Sequence, residues 1–243
     1  MNTKVSVVIG ANYGDEGKGL VTNLLTKDAN KSIVVMTNGG CQRGHTVENE
    51  TERCVVHHLS AGLLNYADVY FSEYFILNPM QFVKEYEEQI KYTRGIKLYR
   101  HKNCRFSLPF DMLLNQIESI YWNTNNTCGM GIYKTIERYN DTIVKYDLAG
   151  LTKLSINEYL GYMHELYNKY YKPKLNRLIN SSTKELVSFF ENETFLIHYW
   201  NDCKTMIQIV KEVEDYSPLL NYNNVVFENA QGLRLDWDYD VYY

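Results

Sequence analysis

Residues 10–20 read Gly10-Ala11-Asn12-Tyr13-Gly14-Asp15-Glu16-Gly17-Lys18-Gly19-Leu20, a run dense in glycine with a lysine and two carboxylates inside it. A glycine-rich turn between a strand and a helix presents backbone N–H groups to an anion. Lys18 adds a point charge suited to a phosphate. The run departs from the usual G-x-x-x-x-G-K-[ST] pattern: Asn12 stands where the first glycine belongs, and Gly19 where a hydroxyl residue would meet magnesium. Asp15 and Glu16 are the unusual additions. A carboxylate aimed at a triphosphate is costly unless a cation or a substrate proton compensates it. Asp15 is therefore a candidate magnesium ligand, general base, or both, against the plainer reading of a turn aspartate that caps the helix. A second cluster, Asn38-Gly39-Gly40-Cys41-Gln42-Arg43-Gly44-His45-Thr46, carries glycines that allow close backbone approach and a histidine able to act as an acid near neutral pH.

Both clusters need a scaffold, and the pattern supplies one. Residues 5–9 (VSVVI) form a short β-branched run, and Leu20, Val21, Leu24 and Leu25 fall at helical spacing after the loop. Residues 32–36 (SIVVM) read as a second strand, so the opening is a βαβ unit of a parallel sheet. Ligands bind at the C-terminal edge of such sheets, where both clusters should meet. A further strand is expected over 54–58, and a helix opening at Asn78-Pro79 with Phe82, Val83, Tyr86 and Ile90 as its apolar stripe. Ser155…Glu158 and Ser182…Glu185 match the capping box, which predicts helices over about 156–171 and 183–193, with another over about 203–215. Residues 224–228 read as the last strand. The expected fold is α/β: a mostly parallel sheet with a P-loop-like phosphate loop. One domain over 1–243 is expected, with a helical insertion at about 150–220 before the last strand.

Composition narrows the classes. The chain has 243 residues, 45% hydrophobic and 22% charged, an ordinary globular balance. The net charge is −4 and the basic residues are scattered, so nucleic acid is not an expected partner. No apolar run reaches the ~18 residues a membrane helix needs, so no membrane partner is expected. The N-terminus lacks a signal-peptide pattern, and the expected location is cytoplasmic. Five separated cysteines with no C-x-x-C pair suggest free thiols. His57-His58 on a strand would point to opposite faces, against joint metal binding. Tyr167, Tyr170 and Tyr171 could form a stacking platform, but covering one face of a helix is the simpler reading.

Together the two clusters resemble adenylosuccinate synthetase. Gly10 to Leu20 is similar to that family's G-x-Q-W-G-D-E-G-K-G-K, and Gln42-Arg43-Gly44-His45-Thr46 to N-A-G-H-T. In the same order follow Val56 to Gly62, resembling a strand and turn ending P-S-G, and Thr127-Cys128-Gly129-Met130-Gly131-Ile132, resembling T-T-G-R-G-I-G. Phe227-Glu228-Asn229-Ala230-Gln231-Gly232 resembles F-E-G-A-Q-G, and Asp236 continues its L-L-D. The resemblance implies a purine-nucleotide ligase that joins aspartate to IMP, or a related 6-oxopurine nucleotide, using GTP and magnesium (Mg2+). By that resemblance Asp15 takes the N1 proton, the 6-oxygen attacks the γ-phosphate, and His45 assists the transferring phosphate. Asp15 and the Gly44 carbonyl are the implied magnesium ligands. Gly14, Glu16, Gly17, Lys18, Gly19, Gln42, Arg43, Thr46, Cys128 and Gln231, with Asp15, Gly44 and His45, form the implied nucleotide site. A homodimer or a complementing second chain is implied in the same way.

The departures are specific. Gln42 replaces an asparagine, moving the amide by about 1 Å, a displacement that can cost rate steeply. Cys128 replaces a hydroxyl donor, for which Thr127 could substitute, and Met130 replaces an arginine. Arg138 lies nearby without a matching register. Family members are nearly twice as long, and the half without counterpart here carries guanine and aspartate recognition. The competing readings are a shortened or split ligase, a non-catalytic nucleotide-binding relative, and a ligase with altered substrates.

Overall fold

In a computed structural model, residues 3–27, 31–124 and 127–235 are described. Asp236 and the residues after it lie outside them. The chain divides into two compact units, one of residues 1–77, 81–104 and 209–243, the other of 78–80 and 105–208.

The first unit holds the sheet. Its strands are β1 (Lys4–Gly10), β2 (Ser32–Met36), β3 (His45–Glu48), β4 (Arg53–Val56), β5 (Asp68–Phe71), β6 (Leu98–His101), β7 (Val210–Val213) and β8 (Asn224–Gly232). Six of these form one parallel sheet in the order β1-β8-β2-β5-β6-β7. β2 is buried along its whole length, as a strand covered on both faces must be, which explains its unbroken apolar sequence. Ile33, Val35, Tyr70, Tyr222 and Val225 pack together as one core cluster. α1 (Lys18–Lys27) follows the glycine-rich loop, and α2 (Pro79–Glu88) begins at the proline whose fixed φ suits a first helical turn.

The sheet order does most of the positioning. The last strand in sequence lies between the first and second, with Val8 opposite Glu228 and Glu228 opposite Met36. The C-terminal ends of β1, β8 and β2 therefore stand side by side. β8 slips register against β1, where Val8 pairs with Glu228 but Gly10 with Gly232, so β8 inserts extra residues where it meets the loop.

Two expectations for this unit change. Residues 54–58 do not join the parallel sheet: β4 ends at Val56 and pairs antiparallel with β3 as a separate hairpin. The helix expected over 203–215 stops at Ile209, and Val210–Val213 becomes a sheet strand beside β6. Valines at both ends of that segment suit a pleated strand, and Glu212 pairs across it with Arg100. β5 and β6 carry no clean alternation and were not anticipated.

The second unit is helical: α3 (Pro109–Trp122), α4 (Ile132–Asn140), α5 (Ile156–Leu166) and α6 (Glu193–Ile209), with shorter helical turns between them. Helix therefore begins well before residue 150. The Ser155–Glu158 capping box is formed. The Ser182–Glu185 box is not. Asn180 Oδ1 accepts from the amides of Ser182 and Thr183 instead, a competing side-chain turn that delays the helix to Lys184–Ser188. Tyr167 and Tyr171 are buried against Phe110 and Phe190 in a π turn, which makes them core. Asp111 is a buried hub. It accepts from the Leu108 amide at 2.9 Å, Thr135 Oγ1 at 3.1 Å, Tyr171 Oη at 2.6 Å and the Arg138 guanidinium at 2.9 Å. Arg138 is thereby internal to this unit, 1% exposed, and not a surface arginine.

Candidate active site

Where β1 ends, the chain enters the loop through Gly10, a position with no room for a side chain. A Cβ there would lie 2.5 Å from Glu16 Oε2 and 3.3 Å from Lys18 Nζ. Gly14 and Gly17 take φ of +104° and +80°, the left-handed region glycine adopts without penalty. The Glu16 carboxylate folds back onto the loop and accepts from the amides of Asn12 at 2.7 Å and Gly14 at 3.1 Å. Partial desolvation pushes this carboxyl up, but the amides and the Lys18 ammonium outweigh it and hold it below the usual carboxylate range. Lys18 is 3% exposed and donates to the Gly14 carbonyl at 2.6 Å. Burial pushes its pKa down, against the opposing pull of Glu16 and Asp15. Asp15 is exposed and lies three residues ahead of α1, at the cavity wall and away from a capping position.

A cavity of about 230 Å³ opens here, lined by Gly14, Asp15, Gly17, Lys18, Gly19 and Leu20 on one side and Gly44, His45, Thr46 and Glu48 on the other. The two clusters thus face one another. Gly19 makes this approach close: a Cβ there would stand 2.7 Å from the Thr46 carbonyl oxygen and 3.2 Å from His45 Cβ. The third element is the end of β8. A Cβ on Gly232 would fall 2.1 Å from the Asn12 oxygen and 2.3 Å from the Gly14 nitrogen, so only glycine lets this strand touch the loop backbone. Gln231 follows it in, its Oε1 lying 3.5 Å from where a Gly14 Cβ would be.

His45 is 6% exposed and held from behind. Its Nδ1 pairs with Glu228 Oε1, and its Nε2 lies 3.4 Å from the Ala230 carbonyl. Glu228 is wholly buried; its Oε1 is 3.5 Å from Arg43 Nη1, and its Oε2 accepts from the Ala61 amide at 3.2 Å. Burial pushes the Glu228 carboxyl up, but Arg43 and His45 outweigh it, and it stays below the usual range. Arg43 does not reach the cavity. Its guanidinium is buried and donates to the carbonyls of His57 and Leu59 as well as facing Glu228. The Arg43 side chain, expected at the nucleotide by resemblance, thus lies away from the cavity with its donors on internal carbonyls, where it braces the site from inside.

The turn that supplies those carbonyls is fixed by Glu85 of α2, which accepts from the amides of His57, His58 and Leu59 at 2.8–3.1 Å. His57 is exposed and His58 buried, so the pair splits as expected, though on a bend past β4 and not on a strand. Glu228 and Glu85 are the residues sequence reasoning passed over. A carboxylate directly after the apolar run Val225-Val226-Phe227, within the expected strand over 224–228, was a legible signal for Glu228; Glu85, one acid among several on a helix, offered none.

Gln42 sits behind Gly39, with its Oε1 buried and without a hydrogen-bond partner, as a group awaiting a ligand donor would be. Cys128 belongs to the other unit, exposed in a turn before α4. There Thr127 Oγ1 accepts from the Gly129 amide at 2.9 Å, and Asn115 Oδ1 accepts from Thr127 Oγ1 at 2.9 Å and from the Gly131 amide at 3.2 Å. Gly129 and Gly131 both have positive φ. That helical unit holds a second cavity of about 230 Å³ near Ile143, Tyr162 and Leu166, whose acid, Glu165, is already paired with Lys169 at 2.7 Å.

Among the described residues no group of three or more His, Cys, Asp or Glu side chains could cage a metal. The cavity instead offers two exposed carboxylates, Asp15 and Glu48, the second of them 3.8 Å from Arg53 Nε, and the Gly44 backbone. That donor set suits magnesium, which takes one or two carboxylates and completes its shell with water and substrate phosphates.

Comparison with known proteins identifies the family. The adenylosuccinate synthetase family model matches residues 7–243. Adenylosuccinate synthetase from Blochmanniella pennsylvanica is 26% identical over 251 residues, covering 97% of this chain and 54% of the relative. That from Aliivibrio fischeri is 29% identical over 246 residues, covering 97% and 53%. Among solved structures, fully ligated adenylosuccinate synthetase from Plasmodium falciparum superposes with a TM-score of 0.67 at 20% identity, covering 97% of this chain and 53% of that one. Succinoaminodeoxyadenylate synthetase of cyanophage S-2L, bound to dGMP and to dATP as an energy donor, gives 0.62 at 14%, covering 98% and 54%. The chain spans about half the length of the relatives it matches. Since that family's model matches all but the first six residues, this chain belongs to the adenylosuccinate synthetase family.

Proposed function

We propose that the chain is a purine-nucleotide ligase that activates the 6-oxygen of IMP, or a related 6-oxopurine nucleotide, with the γ-phosphate of GTP and joins the carbon to the amine of aspartate. The observation that carries this reading is the shared cavity of Asp15, Lys18 and His45 at the C-terminal edge of the sheet. Asp15 is exposed on its wall and can take the N1 proton of a 6-oxopurine, leaving the 6-oxygen negative. Lys18 and the loop amides hold phosphate, which requires Glu16 to release the amides of Asn12 and Gly14 it now occupies. His45 faces the transferring group and can donate a proton to it. Phosphoryl transfer depends on placement and charge neutralisation more than on covalent help, and this set supplies both. Asp15 and the Gly44 carbonyl would hold magnesium, which when bound neutralises charge on the phosphates. The aspartate amine then displaces phosphate from C6. Gln42, Thr46 and Gln231 would contact nucleotide, and Cys128 remains a nucleotide contact by resemblance alone. The site residues, the single nucleotide-binding domain, the cytoplasmic location and a homodimer or complementing chain belong to this proposal.

A second reading has its own support: the chain covers 53–54% of its relatives, so it could bind nucleotide without turnover or act as one half of a split enzyme. A coupled phosphate-release assay with IMP, aspartate, magnesium and either GTP or ATP separates these readings. Turnover that requires purine and aspartate, and that falls at least about a hundredfold in Asp15→Ala, supports the ligase. Nucleotide binding by calorimetry without turnover supports the second reading. Turnover unchanged in Asp15→Ala rules out the assigned base.

A further inference from the structure

Behind the cavity lies a row of three buried ionisable groups, Arg43, Glu228 and His45, each from a different place in the first unit: the loop after β2, the middle of β8 and the first residue of β3. Charge in a core is expensive, and a buried carboxylate persists only when its oxygens are satisfied. Glu228 meets that condition on both sides. Oε2 receives the Ala61 amide, whose place is fixed by the turn that Glu85 pins, and Oε1 faces His45 Nδ1 and Arg43 Nη1. An ionised carboxylate accepts hydrogen bonds and donates none. His45 Nδ1 also lies 3.3 Å from the donor Arg43 Nη1, but the carboxylate oxygen is its much nearer neighbour, so Nδ1 carries hydrogen and donates to Glu228.

We infer that Glu228 is a positioning residue that keeps one hydrogen on His45 Nδ1, so that Nε2 is the nitrogen that meets a ligand and donates to it when it carries the second ring hydrogen, with Arg43 and the Ala61 amide fixing Glu228 in turn. The inference builds on the proposed role of His45 at the transferring phosphate, but its structural half stands apart from that role. Glu228 touches no ligand cavity of its own and acts only through the ring. A serine protease uses a buried aspartate in the same physical way, to set the tautomer and direction of a histidine.

The isosteric variant Glu228→Gln has a definite expected outcome. Its amide has one oxygen and one NH2 to place where two oxygens stood. Turning NH2 toward the Ala61 amide would set donor against donor on a pinned backbone. On the other side the NH2 meets Arg43 Nη1, but at 3.5 Å and on a side chain that can shift, so the NH2 is expected to face His45 Nδ1, which then accepts, and the ring proton moves to Nε2. The test uses the full chain labelled with 15N in its histidines, with the His45 signals identified by their loss in His45→Asn. Expected are a protonated Nδ1 in the wild type and a protonated Nε2 in Glu228→Gln. In the phosphate-release assay kcat should fall about a hundredfold while KM for the nucleotides stays within about threefold. A wild-type ring protonated on Nε2 alone, or a variant that keeps both tautomer and kcat, overturns the inference. Should Glu228→Gln not fold, the wild-type spectrum still decides. Should the wild type show no turnover, the ligase reading fails, and the tautomer measurement, which needs no substrate, judges Glu228 separately.

Discussion

At the scale of single residues, the phosphate loop and the histidine cluster carry different physical burdens. Lys18 is almost fully buried, so its charge is held by Gly14, Asp15 and Glu16 and not by bulk water. Asp15 beside it stays exposed at the cavity wall, the position from which the proposed base would act. Arg43 shows how position in a motif differs from orientation: the resemblance places it in the nucleotide site, yet its donors go to internal carbonyls. Nothing in the local sequence specifies that inward turn, because the carbonyls come from the segment after β4. The cysteines invite a direct check of burial. Cys128 is exposed while Cys41, Cys54, Cys104 and Cys203 are buried. Burial also raises the thiol pKa of Cys54 and Cys203 and pushes Cys104 up to about 12. Titration with Ellman's reagent should therefore modify one thiol per native chain, and all five after denaturation. The modified thiol should disappear in Cys128→Ser.

At the scale of elements, glycine contacts set how closely the loop, α1, β3 and β8 approach. Gly232 is the tightest of them, with backbone on two sides at under 2.5 Å from a would-be Cβ. Backbone cannot rotate away as a side chain can. Gly232→Ala should destabilise the chain by about 1–3 kcal/mol in urea unfolding, the range for overpacking, and also weaken nucleotide binding in calorimetry by moving the loop. A variant with unchanged stability and affinity would show that β8 does not set the loop. The helices illustrate what patterning reads well and poorly. Ser155–Glu158 formed its capping box because both side chains are exposed and local. The Ser182 box failed because Asn180 supplied a nearer acceptor. Val210–Val213 left its predicted helix because β6 offered a parallel partner, a long-range gain that no window of local sequence contains.

At the scale of the whole molecule, the sheet unit keeps two buried carboxylates ionised, Glu228 and Glu85. Burial pushes each up, and each is nevertheless held below the ordinary glutamate value of 4.5, Glu228 by Arg43 and His45, Glu85 by His58 and backbone amides. Below 4.5 the unfolded chain binds more protons at these sites than the folded chain. The stability they contribute is thus full above about pH 4.5 and is lost as pH falls through their folded pKa values. Urea midpoints measured from about pH 6 to pH 3 should drop, and the drop should be shallower in Glu85→Gln; an equal slope would remove Glu85 from the account. By itself, the sequence determined the α/β class, the opening strand–loop–helix–strand unit and the two glycine-rich clusters that line one cavity, because strand patterning, glycine turns and helix N-termini are local physics. It also carried the family, through motifs in a fixed order. Tertiary structure alone decided that β8 threads between β1 and β2, that Arg43 turns inward, and that Glu228 stands behind His45. Those outcomes depend on which strand pairs with which across nearly the full length of the chain, and on burial that converts a lone strand carboxylate into half of a fixed pair.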